Sequence, residues 1–331
     1  MNDLLDDFAE LIKGDIDAVH ICTPNNLHFS MAKKALEAGK HVVCEKPLAT
    51  TIAEAEELVS LAEKKKLVNA VHFNIRYYPL IRQMRVMREK GELGNVYSVI
   101  GSYLQDWLFY ETDYNWRLEP EQSGESRAIA DIGSHLIDVL EYVTGLQIVE
   151  VLADFNTIHK TRKKPLKPME TYSGMMLKPE DYADVPINTE DHANVLLRFN
   201  NGNRGTITVS QVAAGRKNRL SFEIAGSKQT FAWTSEQPND LWIGKRDSYN
   251  GMFMRDPSLF DEKARSLISF PGGHNEGFPD TSKQMFKEVY AAIANNDSSN
   301  PTYPTFRDGL RELLLCERII ESNKNQAWVK V

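Results

Sequence analysis

Three short apolar runs, DAVHIC (17–22), HVVC (41–44) and VNAVHF (68–73), are separated by two amphipathic stretches of helical length, and this alternation leaves few folds open. Val19, Ile21 and Cys22 suggest burial on both faces, as the strands of a parallel sheet require. Asn25 or Asn26 can cap LHFSMAKKALEA, which Gly39 ends, and Thr51 with Glu54 forms a capping box for IAEAEELVSLAEKKK. The series is βαβαβ, whose right-handed crossovers make its strands parallel. All three strands then point one way, so TPNNLH, EKPLAT and NIRYYP emerge along one edge. That is the edge at which open α/β sheets bind ligands, and it receives Thr23, Asn25, His28, Glu45, Lys46, Asn74 and Arg76. Pro24, Pro47 and Pro79 fix φ just beyond the strands and stiffen these loops.

From about residue 76 the pattern changes. YPLIRQMRVMREKGELG reads as a helix ending at Gly91 or Gly94, and NVYSVIGSYLQDW as a strand. A polar loop leads into a second helix, AIADIGSHLIDVLEYVTG, that stops at Gly145. IVEVLADFNTI, HANVLLRF, GTITVSQV, RLSFEIAG and QTFAWTS follow, several alternating apolar with polar residues as half-buried antiparallel strands do. The segments 155–190 and 236–280 read as long excursions, and two helices close the chain. The expected fold is α/β followed by α+β: a parallel sheet over 1–75, then over 76–331 a large, mostly antiparallel sheet with helices on one face. The terminal helix, 306–322, is expected to pack back on the first domain.

With 331 residues, two domains are the better expectation than one core. A net charge of -7 argues against a general nucleic-acid binder. The basic run HKTRKKPLK (159–167) lies among prolines and reads as a solvated loop. No apolar run reaches the roughly 18 residues of a membrane span. The start, MNDLLDDFAE, is acidic where a signal peptide is basic, so a cytoplasmic location is expected. Cys22, Cys44 and Cys316 are too scattered for a disulfide framework. His20 and Cys22, with His41 and Cys44, match no ligand spacing of known geometry, and no metal is expected.

The helix at 128–144 carries a core stripe of Ile129, Ile132, Leu136, Leu140 and Val143. Asp131, His135 and Asp138 fall on another stripe, with the first two one turn apart. A carboxylate so placed can orient an imidazole and raise its basicity, which suits a proton shuttle; a solvated ion pair is the alternative. Lys46, between Glu45 and Pro47 at a strand's carboxyl end, could stabilise negative charge developing on a substrate oxygen.

TPNNLH, AGKHVVCEKPLA, NIRYYP, GELGNV and DIGSHLIDVLEYVTG, in this order, resemble the Gfo/Idh/MocA oxidoreductases, the family of glucose-fructose oxidoreductase and inositol dehydrogenase. The resemblance implies a partial dinucleotide-binding (Rossmann) domain at 1–75 and a substrate-binding and oligomerisation domain at 76–331. It implies an NAD- or NADP-dependent dehydrogenase of a sugar, polyol or related cyclic alcohol. By position, Lys46 would hold the nicotinamide ribose and the reacting hydroxyl, His135 would take the hydroxyl proton, and Asp131 would orient the alcohol or the imidazole. Thr23, Pro24, Asn25 and His28 would line the cofactor, with Glu45, Pro47 and Arg76 nearby and Trp116 and Arg117 approaching from the second domain. Tyr103, Asp106, Trp107 and His274 are substrate-pocket candidates, with ordinary packing as the alternative. A homodimer or homotetramer through the sheet face is expected.

Family members begin with a strand, a G-x-G-x-x-G turn and a helix, and this sequence has no such motif. The expectation is that the first βαβ half is absent here. Either it is encoded upstream of the assigned start, or the chain binds sugar without cofactor as a regulatory module, or it is inactive.

Overall fold

The computed structural model describes residues 7–166 and 178–331, so the first six residues of the acidic start MNDLLDDFAE and Lys167 of the basic run lie outside the described residues. The chain divides into two compact units, Met1–Tyr78 with Gly277–Leu315 and Pro79–Glu276 with Cys316–Val331.

The first unit opens with α1 (Phe8–Leu11) and contains β1 (Ala18–Ile21), α2 (His28–Glu37), β2 (His41–Cys44), α3 (Ile52–Lys65) and β3 (Asn69–Val71). The sheet order is β1-β2-β3, all parallel, as the alternation of runs required. Ala32, Ala35 and Leu36 of α2 and Ala55, Leu58 and Ala62 of α3 join Val19, Ile21, Val42 and Cys44 in one core. The small side chains let the helices lie close to the strands. The Thr51–Glu54 capping box forms, whereas α2 starts from a 3-10 turn (Asn25–Leu27) with no side-chain cap. The expected burial on both faces of β1 does not hold: Val19 and Ile21 are buried, but Cys22 and His20 are exposed, the face of His20 carrying ring contacts, edge-on to Phe286 and stacked on Tyr290, rather than an aliphatic core.

Those aromatics lie on a helix, Phe278–Ala294, that the sequence reading placed in the second domain and that belongs to the first unit. The physical reason is polar: Asn74 Nδ2 donates to Thr281 Oγ1 at 2.7 Å and the Tyr77 hydroxyl donates to Glu288 at 2.8 Å. The helix Phe306–Asn325 gives its first turns to this unit, with Phe306 in the core and Leu310 and Leu313 packed against it.

The second unit runs through α4 (Pro79–Glu89), β4 (Val96–Leu104), the short α5 (Pro120–Ser123), α6 (Ser134–Thr144), β5 (Ile148–Asn156), β6 (Thr161–Pro165) and β7 (Tyr182–Pro186). It continues with β8 (His192–Phe199), β9 (Arg204–Ser210), β10 (Arg219–Gly226), β11 (Thr230–Thr234), β12 (Asp240–Gly244), β13 (Gly251–Met254) and the short α7 (Glu262–Arg265). With α8 (Phe278–Ala294) and α9 (Phe306–Asn325) already placed, β14 (Val329–Lys330) ends the chain. Nine strands form one sheet in the order β13-β12-β11-β10-β4-β9-β8-β5-β14, antiparallel except for the pair β4–β9. Gly101 of β4 faces α6, where a Cβ would come within 3.1 Å of Leu136, so the bare backbone sets how closely the helix approaches the sheet.

The basic run is not a solvated loop. Thr161–Pro165 pairs with Tyr182–Pro186 as a separate ribbon, and Arg162 has no exposed surface. A buried carboxylate, described below, draws it in.

In the first unit, Val68 N donates to Nδ1 of His41 at 2.9 Å, a bond that only the neutral ring accepts. Burial lowers the His41 pKa below its ordinary 6.5, partly opposed by Asp17. With the folded value below the unfolded one, the unfolded state binds more protons near that pH, so stability is lost as pH falls through about 6.5. The melting temperature is expected to fall between about pH 7.5 and about pH 5.5, and His41→Gln to flatten that fall. Parallel Tm-against-pH curves for the two proteins would refute the assignment.

Candidate active site

At the carboxyl edge of the three-stranded sheet, His28 ties two loops together: Nδ1 lies 2.7 Å from the Pro47 carbonyl and Nε2 2.9 Å from that of Thr23. The ring is fully buried, so His28, expected to line the cofactor, acts on this edge through the loops it joins. Thr23, Pro24, Asn25, Lys46 and Pro47 remain half-buried there, and the Lys46–Pro47 peptide is cis. Glu45 pairs with His72 Nδ1 at 2.8 Å, and His72 Nε2 lies 3.0 Å from the Ser282 hydroxyl. Arg76 is drawn to Asp308 at 2.7 Å; burial alone would raise that carboxyl, but Arg76 and Thr305 bring it below the ordinary carboxylate range. Glu45 and Arg76 therefore hold the loops at the same edge that presents Lys46. Among the described residues, the buried Thr23 hydroxyl has no hydrogen-bond partner.

In the second unit, Trp116, Arg117 and Asp131 come together. Asn115 Oδ1 caps the turn Trp116–Leu118 by accepting from Arg117 N at 2.9 Å, and the Arg117 guanidinium lies 4.5 Å from the Trp116 ring centroid. Arg117 Nε is 3.4 Å from Oδ1 of Asp131, and Gln211 Nε2 donates to Oδ2 at 2.9 Å. The predicted core stripe Ile129, Ile132, Leu136, Leu140 and Val143 is buried throughout, which leaves Asp131 and His135 half-buried. Asp138, expected beside them on a polar stripe, is buried instead.

The helix does not start as the periodicity predicts. Ile129–Gly133 form a π turn, and only from Ser134 is the ladder α-helical. Such bulges are frequent at functional sites. Its start is capped from afar: Glu190 accepts from Ile129 N at 2.9 Å, Arg127 N at 3.0 Å and the Ser126 hydroxyl at 2.7 Å. A carboxylate there satisfies donors that a helix start leaves over and faces the positive end of its dipole.

Next to it, Asp191 takes the charge of two arginines. Its Oδ1 accepts from Arg127 Nη2 and, at 2.8 Å, from Arg162 Nη2, while Oδ2 accepts from Ile158 N at 2.7 Å and His159 N at 3.0 Å. Burial by itself would raise the Asp191 pKa, but Arg127, the backbone donors and Arg162 bring it below the ordinary value. Glu190, Asp191, Arg127, Arg162 and Gln211 were not foreseen from the sequence. The adjacent acids of NTED, directly before an apolar strand, were the visible signal for the first two.

The substrate-pocket candidates fare differently. Tyr103 is buried and donates to Asn218 Oδ1 at 2.8 Å, which also accepts from Gln105 Nε2 at 2.7 Å. Asp106 accepts from Lys217 at 2.7 Å and Gly215 N at 3.0 Å, and the Lys217 bond lowers its carboxyl. Trp107 is half-buried, and exposed His274 sits on a turn whose carbonyl accepts from buried Arg255. Among the described residues no group of three or more His, Cys, Asp or Glu side chains could hold a metal, and no helix is long and apolar enough to cross a membrane.

Residues 2–73 match the NAD-binding Rossmann-fold model of the Gfo/Idh/MocA oxidoreductase family, and residues 81–232 match the C-terminal domain model of the same family. An oxidoreductase domain protein from Kribbella flavida is 32% identical, with a TM-score of 0.86 over 98% of this chain and 83% of that one. The chain belongs to the Gfo/Idh/MocA family. It is thereby an oxidoreductase with an NAD-binding Rossmann fold. Levoglucosan dehydrogenase of Pseudarthrobacter phenanthrenivorans is 29% identical over 96% of this chain and 80% of its own length. An inositol dehydrogenase homologue from Azotobacter vinelandii, solved with NAD+, is 25% identical with a TM-score of 0.85, over 98% of this chain and 81% of that one.

Removing one partner of a buried ion pair leaves the other charge stranded, at a cost of about 3–5 kcal/mol. Asp191→Ala is expected to destabilise the second unit by at least about that much in urea unfolding, because it strands two guanidiniums. A loss below about 1 kcal/mol would rule out the central role given to Asp191.

Proposed function

We propose that this protein is an NAD-dependent dehydrogenase of a sugar, polyol or related cyclic alcohol. The observation that carries the reading is Asp131, held by Gln211 and Arg117 in the π turn that leads to His135. That relatives are named for levoglucosan and inositol supports the substrate class. The unpartnered Thr23 hydroxyl, at the carboxyl end of β1, fits an edge that offers hydrogen bonds to a nucleotide.

When bound, NAD would supply the acceptor for the hydride that leaves the carbinol carbon. The chain's residues manage the proton and the charge. The neutral His135 imidazole takes the hydroxyl proton, and Asp131 orients the ring or the alcohol. The Lys46 ammonium stabilises negative charge developing on the reacting oxygen, as a fixed cation aimed at that oxygen does. Thr23, Pro24, Asn25 and Pro47 would line the cofactor, and Trp116 and Arg117 would approach cofactor or substrate.

The open face of the nine-stranded sheet exposes Ile100, Leu196, Met252 and Met254 and carries a groove of about 510 Å³ lined by Ile100, Trp242 and Met252 among others. A second copy of the chain is the occupant that suits this face, because exposed apolar patches of this kind mark contact surfaces. Sedimentation equilibrium is expected to give a multiple of 37.6 kDa, and Ile100→Glu to shift it towards one copy; a monomer in both cases removes the assignment.

Turnover of a polyol and sugar panel, followed as NADH absorbance, tests the central reading. Lys46→Met and His135→Ala are each expected to lower kcat by at least about a hundredfold. Normal turnover in both would falsify the mechanism. Sugar binding by calorimetry without any NADH binding would instead favour a cofactor-free sugar-binding module.

A further inference from the structure

We infer that Gln211 is a positioning residue for Asp131, an assignment that rests on the dehydrogenase reading above. Gln211 lies just past β9 and is 1% exposed. Its main chain is fixed on both sides: its N–H donates to the Asp191 carbonyl at 2.9 Å, and its carbonyl accepts from Leu108 N at 3.2 Å.

Its side chain has a single sensible orientation. Oε1 accepts from Arg127 Nη1 at 3.3 Å and Nε2 donates to Asp131 Oδ2 at 2.9 Å. A guanidinium only donates, so the amide oxygen must face Arg127 and the NH2 must face the carboxylate. Arg127 is itself held by Asp191, so the chain Arg162–Asp191–Arg127–Gln211–Asp131 runs without a break from the β6 ribbon to Asp131. Gln211 is neutral, so it fixes one Asp131 oxygen without setting another charge against His135. Arginine at this place would compete for the carboxylate, and glutamate would repel it.

A methyl thioether fills the volume of the amide and offers no donor, so Gln211→Met separates packing from hydrogen bonding. Crystal structures of the wild type and Gln211→Met test the placement directly. The Gln211–Asp131 bond is expected in the first, and a rotated Asp131 carboxylate in the second; an Asp131 that stays in place in the variant overturns the proposal. Kinetics test the consequence. Gln211→Met is expected to lower kcat by about tenfold or more, with the NADH dissociation constant, read from tryptophan fluorescence, within about twofold of wild type. In an Asp131→Asn background the same change is expected to cost less than about threefold, because residues acting as a unit are not additive. Equal losses in both backgrounds would show that Gln211 only supports the fold. A wild type that turns over no polyol would end the dehydrogenase reading, and the crystallographic comparison would still decide the placement of Asp131.

Discussion

Two guanidiniums that share one carboxylate hold the second unit in its working form. Arg127, Arg162 and Asp191 have no exposed side-chain surface, and such charges are tolerated only when paired and hydrogen-bonded. The pairing fixes more than itself. Arg162 also donates to the carbonyls of Leu108 and Tyr110 at 2.8 Å, anchoring the loop after β4, while Asp191 accepts from the main chain entering β6. Arg127 stands immediately before the helix of Asp131 and His135, so that helix starts where the charge cluster puts it.

The first unit solves the same problem with less charge. His28 spans two carbonyls and His72 spans Glu45 and Ser282, so loops from different strands are joined by ring nitrogens. Rings with two rotatable bonds lose little entropy on fixing, and a cross-link of this kind stiffens a loop without filling the edge with side chains. Lys46 is thus presented by a loop whose neighbours on both sides are tied down.

Much of this could be read from the sequence because it is periodic or local. The parallel sheet followed from three apolar runs at strand length, the α6 core from its 3.6-residue stripe, and the cap of α3 from Thr51 and Glu54. The half of the candidate site formed by Trp116, Arg117 and Asp131 was legible through a family pattern. What escaped depends on partners far apart in the chain. Arg162 and Asp191 are 29 residues apart, and Gln211 and Asp131 are 80 apart, spacings that no periodicity encodes. A lysine-rich stretch looks solvated unless its one buried arginine is known to have a carboxylate waiting. That α8 belongs to the first unit escaped for the same reason, since Thr281 and Glu288 meet Asn74 and Tyr77 only in three dimensions.

The π turn at Ile129–Gly133 gives this helix an unusual sensitivity to length. A π turn holds one residue more than the α ladder that follows, and each helical residue rotates the chain by about 100°. Loss of one residue there would let the turn relax into an ordinary α-helix while its buried stripe kept its grip on the sheet. The polar groups upstream would then swing by about a quarter turn or more relative to His135. Point substitutions leave that count untouched. Lineages that keep the chemistry are therefore expected to keep the number of residues in this turn as closely as they keep Asp131 itself.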